Sequence, residues 1–313
     1  MTAQHSQWSG ETDALLARLG TADGPIPLEA LVAERGEPPD PELTGQPVSV
    51  SLCADVYLPL DSGPTLARVY RDTPKQSTPL VLWLHGGGFV GGSLADVDVT
   101  CRALATACPI TVVSLDYRLA PEHPFPAALH DTDGALSWLA DNGLLIGGDG
   151  RVVVGGQSAG ANLALAASLD RRGRRPNADL LVLAYPWLDD LATSDSWNCY
   201  DGVLADQATH AWERDLYLAG QPVTDLAFPL RAESLAELPP ALVISAGRDP
   251  YRDDSRTLVR CIREEGGAAA LVEYRDVPHA FLQFPGVLRS AHHAIETIAS
   301  HLKQALQLDD EPA

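Results

Sequence analysis

A serine between glycines is the first candidate for chemistry in this chain. Ser158 lies in "GGQSAG", which fits Gly-x-Ser-x-Gly, after an apolar run and before an alanine-rich stretch. A sharp strand-to-helix turn needs small residues on either side of such a serine, and it presents the hydroxyl at a helix N-terminus, whose dipole favours negative charge. The pattern predicts a nucleophile. A serine that only caps the helix is the alternative interpretation.

A serine hydroxyl is a poor nucleophile without a base and an acid that orients the base. After an elbow of this kind the expected chain order is Ser, then Asp or Glu, then His. Asp249 follows "ALVISAGR" and His279 follows "ALVEYRDVP", so each comes just after a predicted strand. We therefore predict a triad of Ser158, Asp249 and His279. Asp253 and Asp254 remain alternative acids, although the first turn of a helix favours acidic residues in any case.

The glycine-rich stretch "HGGGFVGGS" allows two interpretations. Gly86, Gly88 and Gly91 follow a predicted strand and fit the dinucleotide fingerprint, with Asp116 at the end of the next strand. However, "SLADVD" separates the loop from its helix and puts two carboxylates where a pyrophosphate would lie. The hydrolase interpretation needs backbone N–H groups near a developing oxyanion, which glycines supply without an obstructing side chain. We favour the oxyanion and expect no cofactor and no metal.

Composition limits the classes of partner. The chain has 313 residues, 45% of them hydrophobic, and a formal net charge of -20. Such an acidic surface argues against nucleic acid or an anionic membrane as partner. The five cysteines form no Cys-x-x-Cys pair, and neither a signal peptide nor an apolar run of about 18 residues is visible. These observations favour a cytoplasmic protein without a membrane span.

Short apolar runs alternate with helical stretches after residue 80, which predicts a mostly parallel sheet with helices on both faces. Residues 48–71 instead alternate apolar and polar side chains, as antiparallel strands do. Two regions lack any strand pattern, residues 1–45 and residues 189–238. We expect both to be helical and to lie over the strand ends that carry the candidate triad.

Five motifs in order make a family resemblance specific: "HGGGFVGGS", "DYRLAPEHPFPAAL", "GQSAGANLAL", "GRDPYRDDS" and "VPHAF". They resemble those of the hormone-sensitive lipase-like carboxylesterases of the α/β-hydrolase superfamily. The resemblance implies an α/β-hydrolase fold, with Ser158 as nucleophile, His279 as general base and Asp249 as its partner. It also implies an oxyanion hole formed by the N–H groups of Gly87, Gly88 and Ala159.

The resemblance further implies a domain plan. Residues 1–45 and 189–238 would form a helical cap on a core made of residues 46–188 and 239–313. His85 would brace the glycine loop, and Asp116 with Arg118 matches a motif that we interpret as an internal ion pair. The chain departs from the family pattern at Gln157, usually acidic or Thr, and at Ala161, usually Gly.

We therefore predict a carboxylic ester hydrolase that works through an acyl-enzyme and favours short-chain acyl esters of small molecules. An amide or peptide hydrolase is the alternative enzyme, because a triad and an oxyanion hole do not distinguish leaving groups. A non-catalytic receptor is the alternative outside enzymes. Plant gibberellin receptors resemble this family but lack the triad histidine, whereas His279 is present here. A homodimer remains open.

Overall fold

The computed structural model describes residues 9–174 and 176–308. In these two ranges, eight strands form one sheet in the order β1-β2-β4-β3-β5-β6-β7-β8. The strands are β1 (Leu52–Leu60), β2 (Gly63–Arg71), β3 (Thr78–Leu84), β4 (Thr111–Leu115), β5 (Gly148–Gln157), β6 (Leu180–Ala184), β7 (Ala241–Arg248) and β8 (Ala269–Pro278).

Strands β3 to β8 run parallel, while β2 is antiparallel to both β1 and β4. All residues of β3, β4 and β6 are buried, because helices cover both faces and leave no strand face for water. Strand β1, at the edge, alternates exposed and less exposed positions. The predicted α/β-hydrolase fold is confirmed, including the antiparallel strands that precede its parallel part.

Within the described part of the chain, ten α-helices connect or cover the strands. They are α1 (Ser9–Leu19), α2 (Leu28–Glu34), α3 (Pro41–Thr44), α4 (Asp98–Ala107), α5 (Ala127–Asn142), α6 (Ala159–Asp170), α7 (Asp195–Tyr200), α8 (Gln207–Leu218), α9 (Arg252–Glu264) and α10 (Arg289–Ala305). Helices α5, α6 and α9 bury apolar side chains on one face of the sheet, and α4 and α10 do so on the other. Helix α6 is apolar on nearly all sides, which suits its burial from Ala159 to Leu169.

The two regions without a strand pattern are helical in the part of the chain that the structure describes. Helices α1 to α3 come from the N-terminal region, and α7 and α8 from residues 189–238. The regions contact each other, since the N–H of Ala22 donates to the Gly202 carbonyl and the N–H of Gly24 donates to the Asp206 carboxylate. Apart from Leu308, the tail "LDDEPA", which the sequence predicts to be disordered, lies outside the described residues.

Candidate active site

Ser158 occupies a strained turn between β5 and α6. Its φ is 54° and its ψ is -117°, a backbone conformation that L-residues rarely adopt and that costs on the order of 1–3 kcal/mol. A methyl group on Gly160 would lie 2.3 Å from the carbonyl oxygens of Leu84 and His85, so the turn packs directly on the end of β3. Although Ser158 is the residue before α6, its side chain makes no capping hydrogen bond. The hydroxyl is therefore available to another partner.

That partner is His279. Its Nε2 lies 2.9 Å from Ser158 Oγ, and its Nδ1 lies 2.8 Å from Asp249 Oδ2. Asp249 is fully buried, and its other oxygen accepts the N–H of Tyr251 at 2.8 Å. The rings of Tyr185 and Tyr251 flank the imidazole, with centroids 5.1 and 4.8 Å away. The three predicted residues thus form one hydrogen-bonded chain, because β5, β7 and β8 are parallel and end at the same edge of the sheet.

The two alternative acids bind elsewhere. Asp254 is buried and accepts the N–H groups of Leu188 and Asp189, which anchor the start of the helical insertion. Burial raises the pKa of Asp254 well above its ordinary value. Asp253 accepts the N–H of Ser196 and forms ion pairs with arginines of its own helix. Neither carboxylate hydrogen-bonds to the imidazole of His279.

The glycine loop folds tightly after β3. The carbonyl of Gly87 accepts the N–H groups of Val90 and Gly91, at 3.1 and 2.8 Å. His85 lies fully buried beneath the loop, with Nδ1 2.8 Å from the Gly86 carbonyl and its ring stacked on Tyr117 at 4.2 Å. Burial lowers the pKa of His85. Its neutral ring packs under the loop, and the bracing role stays a prediction.

Helix α4 begins at Asp98, six residues after Gly92, so the loop does not open a helix as a dinucleotide site requires. Gly87 and Gly88 instead line the same cavity as Ser158, and Ala159 is the first residue of α6. The structure thus brings the predicted oxyanion residues next to the predicted nucleophile.

One departure from the family pattern, at Gln157, has a structural explanation. Gln157 is buried, and its Oε1 accepts the hydroxyl hydrogen of Tyr185 at 2.8 Å. A neutral amide oxygen therefore binds Tyr185 at the position where the family usually has an acidic residue or Thr. The predicted ion pair between Asp116 and Arg118 is wrong. The guanidinium of Arg118 binds the buried carboxylate of Asp131 in a bidentate manner, at 2.9 Å, because α5 brings Asp131 beneath it.

A small cavity of about 190 Å³ opens over the serine. Its wall combines the glycine loop, the triad, aromatic side chains and one face of α8. The lining residues are Gly86, Gly87, Gly88, Ser158, Tyr185, Trp187, Leu204, Ala205, Thr209, His210, Glu213, Tyr251, His279, Ala280 and Gln283. The site is thus enclosed by both the sheet edge and the helical insertion.

Sequence reasoning missed the carboxyl group in this cavity. Glu213 lies in the charged stretch "ERD" of α8, which reads as a solvent-exposed helix face. Burial and the nearby charge of Asp206 raise the pKa of Glu213 to about 8. His210, one turn earlier, has its pKa lowered to about 4 by burial and is neutral at neutral pH. No motif indicates either residue, since only the packing of α8 turns them inward.

Among residues 9–174 and 176–308, no group of three or more His, Cys, Asp or Glu side chains is arranged to hold a metal ion. Within those residues, no helix is long and apolar enough to cross a membrane.

Comparisons with known proteins identify the family to which the chain belongs. A family profile described as an alpha/beta hydrolase fold matches residues 81–283. The chain is 36% identical over 298 residues to esterase LipI of Mycobacterium tuberculosis, covering 90% of this chain and 89% of the relative. It is 30% identical over 307 residues to ethyl acetate hydrolase of Pseudomonas putida, covering 93% and 96%. A solved esterase structure from Pyrobaculum calidifontis superposes with a TM-score of 0.78 at 37% identity, covering 82% of this chain and 87% of that one.

Fold and comparisons together define a serine hydrolase of the α/β-hydrolase fold. The relatives narrow this class further, because they are named esterases or carboxylic ester hydrolases and the matches cover at least 70% of each of them. The chain belongs to the hormone-sensitive lipase-like carboxylesterase family, and it is a carboxylic ester hydrolase.

Proposed function

We propose that Ser158, His279 and Asp249 hydrolyse esters through an acyl-enzyme intermediate. The continuous hydrogen-bond chain from Ser158 Oγ to Asp249 Oδ2 carries the proposal. His279 Nε2 takes the hydroxyl proton as Oγ attacks the ester carbonyl, while Asp249 orients the ring through Nδ1–H. The imidazolium then gives that proton to the departing alkoxide. Water, activated by the same nitrogen, attacks the acyl-enzyme and releases the acid.

The tetrahedral intermediate carries an oxyanion that needs fixed donors. We assign the N–H groups of Gly87, Gly88 and Ala159 to it. The position of both glycines in the cavity wall beside Ser158, and of Ala159 at the start of α6, supports this assignment. The loss of one such donor typically costs about 10²–10³ in rate.

The substrates that we propose are esters with short acyl chains. A cavity of about 190 Å³, with Trp187 and Leu204 among its lining residues, has room for a small acyl group rather than a long chain. The name of the Pseudomonas putida relative, ethyl acetate hydrolase, points the same way. We therefore expect hexanoyl and shorter p-nitrophenyl esters to have the highest kcat/KM.

Residues 1–45 and 189–238 form, in this proposal, the cap that bounds the acyl pocket, and residues 46–188 and 239–313 form the core. The hydrogen bonds between the Ala22–Gly24 stretch and the insertion support a joint cap. So does Arg35, which donates to the carbonyls of Val90, at 2.8 Å, and Ala120, at 2.6 Å, beside the glycine loop. Both regions thus contact the loop or the cavity wall.

Two other functions remain to be tested against this one. An amide hydrolase would use the same triad, so matched p-nitroanilide and p-nitrophenyl ester substrates distinguish the two. A receptor would bind without turnover, but it would not require His279 to contact both Ser158 and Asp249. A homodimer and a cytoplasmic location stay predictions, which sedimentation velocity and cell fractionation would test.

Covalent labelling tests the nucleophile directly. A fluorophosphonate should modify the wild-type protein, and mass spectrometry of the digest should find the adduct on Ser158. Ser158→Ala should remain folded by circular dichroism, take no label and lose ester turnover. Label on another residue, or near-normal turnover by Ser158→Ala, would contradict the proposal.

A further inference from the structure

Glu213 places a carboxyl group in the cavity directly over Gly88. A methyl group on Gly88 would lie 2.2 Å from Glu213 Cδ and 2.3 Å from both carboxyl oxygens, so the carboxyl fills the space where any other residue would put its side chain. Gly88 has φ 60°. The carboxyl therefore lies against the loop whose N–H groups we assign to the oxyanion.

The carboxyl of Glu213 has neither a hydrogen bond nor an ion pair within residues 9–174 and 176–308. Four other titratable groups face it or lie near it, and none forms an ion pair or hydrogen bond with it among the described residues. His210 is neutral and bound to the Asp190 carbonyl, Tyr251 is a neutral phenol, and His279 is bound to the triad aspartate. Asp206 is negative, which disfavours ionisation of Glu213 further.

This arrangement sets a condition on catalysis. An ionised carboxylate beside Gly88 would repel the oxyanion that forms there, in a site where burial weakens solvent screening. The carboxyl must therefore stay protonated, or the substrate must bring a positive charge to it. A protonated amine supplies both the charge and a hydrogen-bond donor that an unpaired carboxylate lacks.

We propose that Glu213 is a specificity-determining residue that selects esters carrying a protonated amine, which its carboxylate binds while Ser158 attacks the carbonyl. The inference rests on the proposed function of Ser158 as nucleophile. Uncharged esters are also hydrolysed, with Glu213 protonated, but they gain no ion pair. The amine can belong to the acyl part or to the alcohol part, and the test separates the two.

Two pairs of esters of matched shape provide the test. In the alcohol pair, 2-(dimethylamino)ethyl acetate is compared with 3-methylbutyl acetate, in which carbon replaces the amine nitrogen. In the acyl pair, ethyl N,N-dimethylglycinate is compared with ethyl 3-methylbutanoate. For each pair, the ratio of kcat/KM between amine and carbon ester is measured at neutral pH by titrating the released acid. The ratio cancels differences in overall activity between variants.

We expect the ratio in one pair to fall about tenfold from wild type to Glu213→Gln, the size of one charge-assisted hydrogen bond. The pair that responds identifies which part of the ester carries the amine. Asp215→Asn is the matched control, because Asp215 lies on the same helix but is exposed and paired with Arg214. It should keep the wild-type ratios. Ratios in Glu213→Gln within twofold of wild type in both pairs would overturn the inference.

A failure of the proposed function of Ser158 gives a different result from a failure of this inference. If Ser158→Ala cleaved the carbon esters like wild type, the proposed function would be wrong, and this inference with it. If Glu213→Gln did not fold, inhibition of the wild-type enzyme by its reaction products would test the inference instead. One amine product, 2-(dimethylamino)ethanol or N,N-dimethylglycine, should then inhibit about tenfold more strongly than its carbon counterpart. Equal inhibition within both product pairs would overturn the inference.

Discussion

Ser158 Oγ and His279 Nε2 lie 2.9 Å apart although 121 residues separate them in the chain. Their strands, β5 and β8, are not neighbours, since β6 and β7 lie between them in the sheet. The contact is therefore made by the loops beyond the strand ends, the Ser158 turn and the segment after β8. Small shifts in either loop should separate the two side chains.

The identity of the acid can be tested with three isosteric variants. Asp249→Asn should lower kcat by several orders of magnitude, because the amide cannot hold the imidazole in the tautomer that accepts the serine proton. Asp253→Asn should stay active, since its carboxylate binds Ser196 and two arginines rather than His279. Steady-state kinetics with p-nitrophenyl butyrate would give kcat for each variant.

Asp254→Asn is the third variant and separates folding from chemistry. Its carboxylate accepts two backbone N–H groups at the base of the insertion, so we expect a lower melting temperature but a kcat close to wild type. An active Asp249→Asn together with an inactive, folded Asp253→Asn or Asp254→Asn would move the acid assignment.

The elbow should not tolerate a side chain at position 160. Gly160→Ala would put a methyl group 2.3 Å from two backbone carbonyl oxygens of the β3 end, which cannot move independently of the sheet. Overpacking of this kind costs about 1–3 kcal/mol, so we expect a lower free energy of unfolding and a loss of phosphonate labelling at Ser158. Chemical denaturation followed by fluorescence would measure the first effect.

Gly10→Ala is the control for this change, because nothing lies within 4 Å of the added methyl group. It should leave labelling and stability close to wild type. Wild-type labelling kinetics in Gly160→Ala would show that the elbow relaxes without displacing the serine.

Stability should depend on pH through Glu213. Burial and Asp206 raise the pKa of this carboxyl from 4.5 to about 8, so the folded protein holds a proton that the unfolded chain releases. The resulting stabilisation is fully present below pH 4.5 and is lost as the pH rises through about 8. We expect the wild type to lose more than ~1 kcal/mol relative to Glu213→Gln between pH 5 and pH 9.

Thermal denaturation at several pH values would measure this difference. Asp215→Asn, an exposed change on the same helix, should follow the wild-type curve. A constant difference between wild type and Glu213→Gln across the range would mean that the carboxyl is not held protonated by the fold.

The N-terminal segment should influence substrate choice. Deletion of residues 1–40 removes Leu31, which packs near Gly91, and Arg35, which holds the Val90 and Ala120 carbonyls. We expect a lower melting temperature and a weaker preference for short acyl chains, measured with p-nitrophenyl esters of increasing length, while Ser158 still labels.

A point change refines this experiment. Arg35→Ala should weaken the chain-length preference in the same direction, whereas Arg18→Ala, which removes only exposed ion pairs with Asp40 and Glu42, should not. An unchanged chain-length profile and melting temperature in the truncated enzyme would contradict the assignment of residues 1–45 to the cap.

Metal should be dispensable. The proposed mechanism moves protons between Ser158, His279 and Asp249 and gives the oxyanion to backbone N–H groups, so no step needs a cation. Turnover of p-nitrophenyl butyrate should survive prolonged dialysis against excess chelator and need no added nucleotide. Loss of activity that zinc restores would show that the mechanism is incomplete.

The sequence alone determined the architecture and the three residues of the candidate triad. This was possible because each signal is local: an apolar run predicts a buried strand, small residues around Ser158 predict the sharp turn, and Asp249 and His279 each follow such a run directly. Parallel strands then bring their carboxyl ends to one edge without further information. The proximity of Ser158, Asp249 and His279, which depends on the order and direction of the strands, was therefore predictable.

Only the tertiary structure decided contacts between side chains from distant segments. Three carboxylates stand within six residues of each other, and which of them reaches His279 depends on the direction of the chain after β7. Arg118 binds Asp131, rather than the nearby Asp116, because α5 packs beneath it. Glu213 reads as part of a solvated helix face, and it enters the cavity because long-range packing turns that face of α8 toward Gly88.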